Sequence, residues 1–554
     1  MASFCGGPCW GLNHLRYLSL TSGLTWTLAG IALIALTWSR RPQLEKLLEP
    51  GRALPAWATG LIFLVVALLL PGVATPLLGD GVDRVLATTD GWKALQGQPA
   101  PLDFVIHILA SKLQVWPGES AWTRSLNSWR AVSLAGGLAA CVFVWKLACL
   151  RSANKAERWF IFFTVFGGGT AVFFLGYAEN YVVPAAAVYG FLMLMEAVRR
   201  KQAPAWTLYP ALAILAALHF FLALVIPPAL YVMHRHGLAR LDRWKTLIAA
   251  ALLVALGALA FFMVEEHYRG LAAIFVSGEN IISSYHLLGF LNQQILACPG
   301  LPLLLPLALL AGPAPDDPLQ SFAFYASIIF IVFFFFLRPV IGPAKDWDLF
   351  ALPSIIYTPW MVLRIHNSFR EKNFFPGAAV AVMVLVVVST GPWISVNAKE
   401  KSSVKRYREI MEEEAKHNSW SASYGYYRLA RYFYHEGYAP HDVTAALSRA
   451  VEINPDSATL RLQVSRLFFK IGREGEAERH LFHHYRILGR RLLEDGKPKQ
   501  AAQSLEKALP LCPENLRPKI WEKLVRIYES GGEDPARARY YRDKLESRRE
   551  ADNN

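Results

Sequence analysis

Charge is what this chain lacks. Only 18% of its 554 residues are Asp, Glu, Lys or Arg, against 54% hydrophobic. That balance excludes an ordinary soluble globular protein and fits a polytopic membrane protein with a polar appendage. Acids are the scarcer sign, 43 against 57 Lys and Arg, giving a formal net charge of +14. The surplus does not point to nucleic acid, because no basic patch interleaves with aromatics. The cations sit instead in short gaps between apolar runs, as membrane topology demands. Cysteine is also scarce. Cys141, Cys149 and Cys298 lie in apolar segments and Cys512 in the polar tail. Cys5 and Cys9 could pair, but two thiols fall short of a structural zinc site. No cleavable signal peptide is expected, since the first apolar run, from near Leu18, ends without a small-residue cleavage pattern.

What the chain has in abundance is long apolar runs. Stretches near the length of a membrane span fall at 19–38, 56–76, 130–149, 159–176, 182–198, 206–221, 222–234, 246–264, 293–311, 320–337, 349–365 and 374–394. The expectation is an all-α fold: a polytopic helical domain of about 11–13 spans over residues 1–398, then a helical-repeat domain over 399–554. Around Leu218 to Pro228 the pattern allows two short spans, a re-entrant hairpin, or one helix kinked at Pro227-Pro228. Every second gap is basic, including Arg151, Lys155 and Arg158, then Arg199, Arg200 and Lys201, then Arg235, Arg240, Arg243 and Lys245, then Arg364, Arg370 and Lys372. Those gaps are expected to be cytoplasmic, leaving 77–128, 177–181, 265–292, 338–348 and the tail outside.

From about Glu400 the composition flips to charged and helical, with no run long enough to span. Trp521-x-x-Leu524 with Tyr528, Gly532, Ala536 and Ala538 follows a tetratricopeptide pattern. Further partial units read Gly496-Ala501-Leu505-Ala508-Pro513, Gly472-Ala477-Leu481, and Leu429-Ala430-Phe433-Gly437-Leu447-Ala450-Pro455. The phase is irregular, with Ala477 and Ala501 only 24 positions apart. About three to four degenerate repeats are expected, forming a solenoid whose groove suits an extended partner.

The outer gaps hold the chemistry. Leu78-Gly79-Asp80-Gly81-Val82-Asp83-Arg84 follows the apolar run Leu61 to Leu70, so its carboxylates fall where a span meets water. Gly-Asp-Gly is also a common turn, but an acid at that height can serve as a base or hold a metal. Gly176-Tyr177-Ala178-Glu179-Asn180-Tyr181 is a tight turn in which Glu179 is either solvated or aimed back into a cavity. In Arg338-Pro339-x-x-Gly342-Pro343-Ala344-Lys345-Asp346-Trp347-Asp348 the cations suit an anionic headgroup. Trp347 there could stack on a sugar, and Asp346 and Asp348 could ligate a cation or orient Lys345. Leu102 to Leu113 reads as a helix lying in the membrane surface or as an ordinary loop helix. Glu265, Glu266 and His267 point different ways on a helix and read as a solvated end.

An outward acid in the first large loop, many spans and an outward repeat tail together resemble the GT-C superfamily of membrane glycosyltransferases. The tail is similar in arrangement to that of transmembrane and tetratricopeptide-repeat O-mannosyltransferases. The resemblance implies a polyprenyl-phosphate-linked sugar as donor, a protein or glycan acceptor bound by the repeats, and the outer face of a bacterial inner membrane. It carries a catalytic role to Asp80 and Asp83, with Glu179 beside them. Arg338, Lys345 and Arg84 would hold the donor phosphate, and Asp346, Trp347, Asp348, Tyr177 and Asn180 would contact the sugar or support it. A divalent cation (Mg, Mn or Ca) is one option for a cofactor; no nucleic-acid partner is expected. The chain departs from the family in having Asp-x-x-Asp where an Asp-Glu or Glu-x-Asp pair is usual. Two other classes fit the architecture: a lipid-linked polysaccharide polymerase or ligase, and a non-enzymatic transporter or scaffold.

Overall fold

The computed structural model describes residues 10–39, 54–69, 72–95, 100–113, 120–238, 275–278, 280–311, 316–371, 375–531 and 534–553. The expected span at 246–264, the Glu265-Glu266-His267 group, Cys5 and Cys9 lie outside them. The described residues are helical and irregular, their only β pairing being the isolated bridge between Phe275 and Leu337. The chain divides into two compact units, Met1–Ile410 and Met411–Asn554, so the division falls at Ile410 rather than at 398.

The first unit is organised around one helix. In chain order it begins with α1 (Leu20–Ser39), α2 (Ala56–Leu69), α3 (Gly81–Thr89), α4 (Pro101–Leu113) and α5 (Ala121–Arg151). Next come α6 (Lys155–Phe166), α7 (Val182–Arg199), α8 (Leu208–Leu218), α9 (Ile226–Arg235) and α10 (Ser284–Ala297). The unit continues with α11 (Leu301–Leu310), α12 (Pro318–Phe336), α13 (Leu352–Glu371), α14 (Phe375–Asn397) and α15 (Glu400–Glu414), the last crossing the division between the units. Helix α5 runs for 31 residues, about 46 Å at the usual rise. It packs against α2, α3, α4, α6 and α7. Ser120 caps its start by accepting the Thr123 N–H at 3.1 Å, which satisfies one of the orphan donors of the first turn. Gly137 lets α2 come close, because a Cβ there would meet the Phe63 ring and the Phe174 side chain within 3.0 Å.

Among the described residues three helices, α5, α7 and α12, are long and apolar enough to cross a membrane, and the chain is a multi-pass membrane protein on that ground. Helices α10 and α11 meet the same test as a pair but bend by 86° at their junction, as a broken span or a re-entrant loop would. The break expected near the double proline sits earlier. His219 is extended between α8 and a short 3-10 turn, and Pro227 and Pro228 open α9. Proline is tolerated there because first-turn N–H groups lack partners anyway.

The two ends of α5 differ in chemistry. At its C-terminal end Arg151 pairs with Asp317 and with Glu196 at 3.2 Å, and Arg199 and Arg200 close on Glu196 at 2.6 and 2.9 Å. His366 meets Glu157 at 2.7 Å on the same side, and Arg364 donates to the Ala311 carbonyl at 2.9 Å. Among the described residues, cations from three of the basic gaps thus gather at one end. At the other end, Ser125 donates to the Val85 carbonyl at 2.6 Å and joins α5 to the loop that carries Asp80.

The second unit is built of paired helices: α16 (Ser419–His435) with α17 (Pro440–Ile453), α18 (Ala458–Lys470) with α19 (Glu474–Glu494), and α21 (Arg517–Gly531) with α22 (Pro535–Asn553). Helix α20 (Pro498–Ala508) also packs on α19. The 21-residue α19 therefore serves two neighbours at once. Ala477 lies on α19 and Ala501 on α20, so the two fall on neighbouring helices. Leu505, Ala508, Ile520 and Leu524 form the buried seam of the last helices.

Candidate active site

Three outer-gap segments distant in sequence meet beside Gly79. Its N–H donates to the Lys345 carbonyl at 2.9 Å, which ties the first loop to the last. Gly79 has φ of +64°, a left-handed conformation in which a side chain is strained. It also has no room: a Cβ there would lie within 3.0 Å of Asp348 Oδ2 and Glu179 Oε1. Those two carboxylate oxygens consequently lie within about 5 Å of each other, close enough for each to oppose the other's ionisation. Asp80, the next residue, adds a third acid.

The acids differ in exposure, and this separates their chemistry. Glu179 and Asp348 are each 1% exposed, whereas the Asp80 side chain keeps 36% of its surface open. Asp80 is thus the carboxylate that a substrate can reach. Arg84, one turn along α3, lies 3.5 Å from Asp80 and is itself largely buried. Lys345 is fully buried. Asp83 stands half-buried in the first turn of α3.

Asp348 is held from two sides. Its Oδ1 accepts the Leu349 N–H at 2.9 Å and its Oδ2 the Tyr177 hydroxyl at 3.0 Å. Tyr177 in turn accepts the Trp347 indole N–H at 3.1 Å. Burial pushes the Asp348 carboxyl up to about 7, against the Leu349 N–H and with help from the negative charge of Asp80. Burial, then the charges of Asp348 and Glu179, hold the Tyr177 and Tyr181 hydroxyls well above their ordinary value, so both stay protonated donors.

The sequence-derived site residues therefore separate into groups. Asp80, Arg84, Glu179, Tyr177, Lys345 and Asp348 come together. Asp346, half-buried, accepts the Ile341 N–H at 3.2 Å and shapes the last loop. Asn180 is fully buried, and its amide makes no hydrogen bond among the described residues. Trp347 presents no open face for a sugar. It is fully buried, 5.1 Å from the Phe173 ring and edge-on to Trp393 at 5.3 Å, and it acts by holding Tyr177. Arg338 is exposed beyond α12, and no hydrogen bond or ion pair joins it to the acids among the described residues.

Asp103 and His107 went unread as site candidates. Helix α4 turns both inward to full burial, with His107 stacked on Trp129 at 3.4 Å, while Leu109 and Leu113 face out at 47% and 85% exposure. Apolar exposure of that kind is what a helix at a lipid surface shows. The two inward polar groups lie 3.5 Å apart, and burial, offset by Arg84, raises the Asp103 carboxyl well above its usual range. Among the described residues no group of three or more His, Cys, Asp or Glu is placed to hold a metal ion.

These features define an all-helical membrane protein whose outer-gap loops build one acid- and cation-bearing site. No family of known proteins matches the chain, and no curated protein matches it. Among solved structures it is similar to that of ArnT from Cupriavidus metallidurans bound to undecaprenyl phosphate. That likeness covers 85% of this chain and 80% of the other, at 13% identity and a TM-score of 0.36. A likeness at this level assigns neither residues nor substrate.

Proposed function

We propose that the chain is a membrane glycosyltransferase that moves a sugar from a polyprenyl-phosphate donor to a protein or envelope-glycan acceptor. The site would face the outer side of a bacterial inner membrane. The observation that carries this reading is one reachable acid, Asp80, set against two buried acids and two cations contributed by separate loops. Asp80 takes the proton of the acceptor hydroxyl as its oxygen bonds to the anomeric carbon. The bond from that carbon to the phosphate oxygen breaks, and the lipid phosphate leaves with the electron pair. Its growing charge is met by Arg84, with Lys345 behind it. Glu179 and Asp348 keep Asp80 in place and raise its basicity through their own charge. The paired helices of the second unit offer an extended surface for the acceptor, and a tetratricopeptide identity for them belongs to this proposal.

The test is Asp80→Asn in proteoliposomes supplied with a radiolabelled polyprenyl-phosphate hexose. The variant keeps shape but not charge, so transfer should fall by about a hundredfold or more while insertion and folding persist. Transfer near the wild-type rate would remove the catalytic assignment.

A further inference from the structure

The second unit carries a cluster of cations on α18 and α19. Several of its arginines are matched to an acid: Arg449 to Glu412 at 2.6 Å, Arg473 to Glu476 at 2.6 Å, Arg526 to Glu522 at 2.6 Å and Arg537 to Glu506 at 2.9 Å. Arg479 and Arg486 have no such partner among the described residues. They lie on α19 with His483 between them, at spacings of four and three that share one helix face. Arg461 of α18 closes the group. Its guanidinium donates to the Pro455 carbonyl at 3.2 Å and meets His480 Nδ1 at 3.1 Å. The His480 ring is stacked on Phe468 at 5.3 Å, which fixes that edge.

The crowding of like charge is visible in the group's own electrostatics. Burial and the neighbouring Arg461, Arg486 and Arg479 hold His483 down at about 4, and His480 is likewise lowered to about 4. Both imidazoles are therefore neutral near pH 7, with His480 Nδ1 already taken by Arg461. Asp456, the acid that acts on Arg461, is also held by Arg490 at 3.2 Å. Three guanidiniums beside two half-buried imidazoles cost electrostatic energy unless an anion sits among them. Their compactness selects the anion's type. A single carboxylate offers one charge and two oxygens, whereas a phosphate group offers up to two charges and three oxygens, with the geometry guanidinium forks bind.

We propose that Arg461, Arg479, His480, His483 and Arg486 form a binding site for a phosphate group carried by a glycan or a lipid head. The site stands independently of the transferase reading. It is tested on the full chain in zwitterionic detergent by calorimetric titration at low salt. The probes are inorganic phosphate, mannose 6-phosphate, dihexanoyl phosphatidic acid and a tetraglutamate peptide.

The three phosphate probes should bind, and Arg479→Gln with Arg486→Gln should weaken them by about tenfold per guanidinium removed. Arg526→Gln should leave binding unchanged. Tightest binding by the sugar phosphate marks a glycan source, and by the phosphatidic acid a lipid head; either supports the site. The double variant should melt no lower than wild type, because it relieves repulsion. Absent phosphate binding, equal affinity in the double variant, a lower melting point, or tighter binding by the glutamate peptide would each overturn the proposal.

Discussion

Gly79→Ala tests the site without touching any charged group. Two costs attend the new methyl. The backbone at φ +64° becomes strained, worth about 1–2 kcal/mol for a non-glycine residue. The methyl also arrives within 3.0 Å of Asp348 Oδ2 and Glu179 Oε1, so each oxygen must retreat by roughly 1 Å to reach ordinary van der Waals contact. Neither can retreat freely, because both are buried and Asp348 is bound to Tyr177 and to the Leu349 N–H. A displacement of about 1 Å at a reacting centre costs on the order of a hundredfold in rate. Gly91 supplies the control. It has φ of +62° but nothing within 4 Å of its Cβ position, so Gly91→Ala carries the strain without the crowding. Both variants should lose about the same stability in a thermal melt in detergent. Only Gly79→Ala should lose sugar transfer from a polyprenyl-phosphate hexose, by about a hundredfold. Equal transfer by the two variants would refute the argument that the three loops form one catalytic centre.

The raised Asp348 carboxyl gives a pH signature. It is neutral below about 7 and negative above, so transfer should rise through that range as its charge makes Asp80 more basic, and Asp348→Asn should flatten the rise. The same group favours the fold most below its ordinary 3.8 and loses that contribution as pH climbs through about 7. The melting temperature of Asp348→Asn should accordingly fall less than that of wild type over this interval. At the other end of α5, Arg151→Met removes the ion-pair partner of Asp317 while Glu196 keeps Arg199 and Arg200, and should cost about 3 kcal/mol in a denaturant titration with transfer chemistry otherwise intact.

Charge is so rare in this chain that Asp80, directly after an apolar run, stands out as a candidate by position alone. The gathering of basic gaps at one end of α5 was legible for the same reason. That Gly79 touches Glu179 and Asp348 was not, since contacts between residues 100 and 269 positions away leave no periodicity. Helix α4 was legible as a helix, but not the inward placement of two of its polar side chains. Amphipathic spacing marks two faces, but beside a lipid surface the apolar face can turn outward and leave Asp103 and His107 to the interior. Trp347 misled likewise, because aromatic residues near an interface serve ligands and packing alike. Arg338 was read from proximity in sequence to Lys345, yet the turn after α12 carries the two residues apart in exposure.

The length of α5 has a consequence for where reactants meet. About 46 Å matches a whole bilayer, headgroups included, rather than its hydrocarbon slab of about 30 Å. If the helix spans a bilayer, the end that anchors Val85 through Ser125 would stand at the height of the lipid phosphates. At that depth a phosphate-borne sugar need not be lifted from its leaflet, nor a water-borne acceptor pulled into oil. On the proposed reading the helix works as a depth gauge, and Asp80 would stand where the two phases already touch.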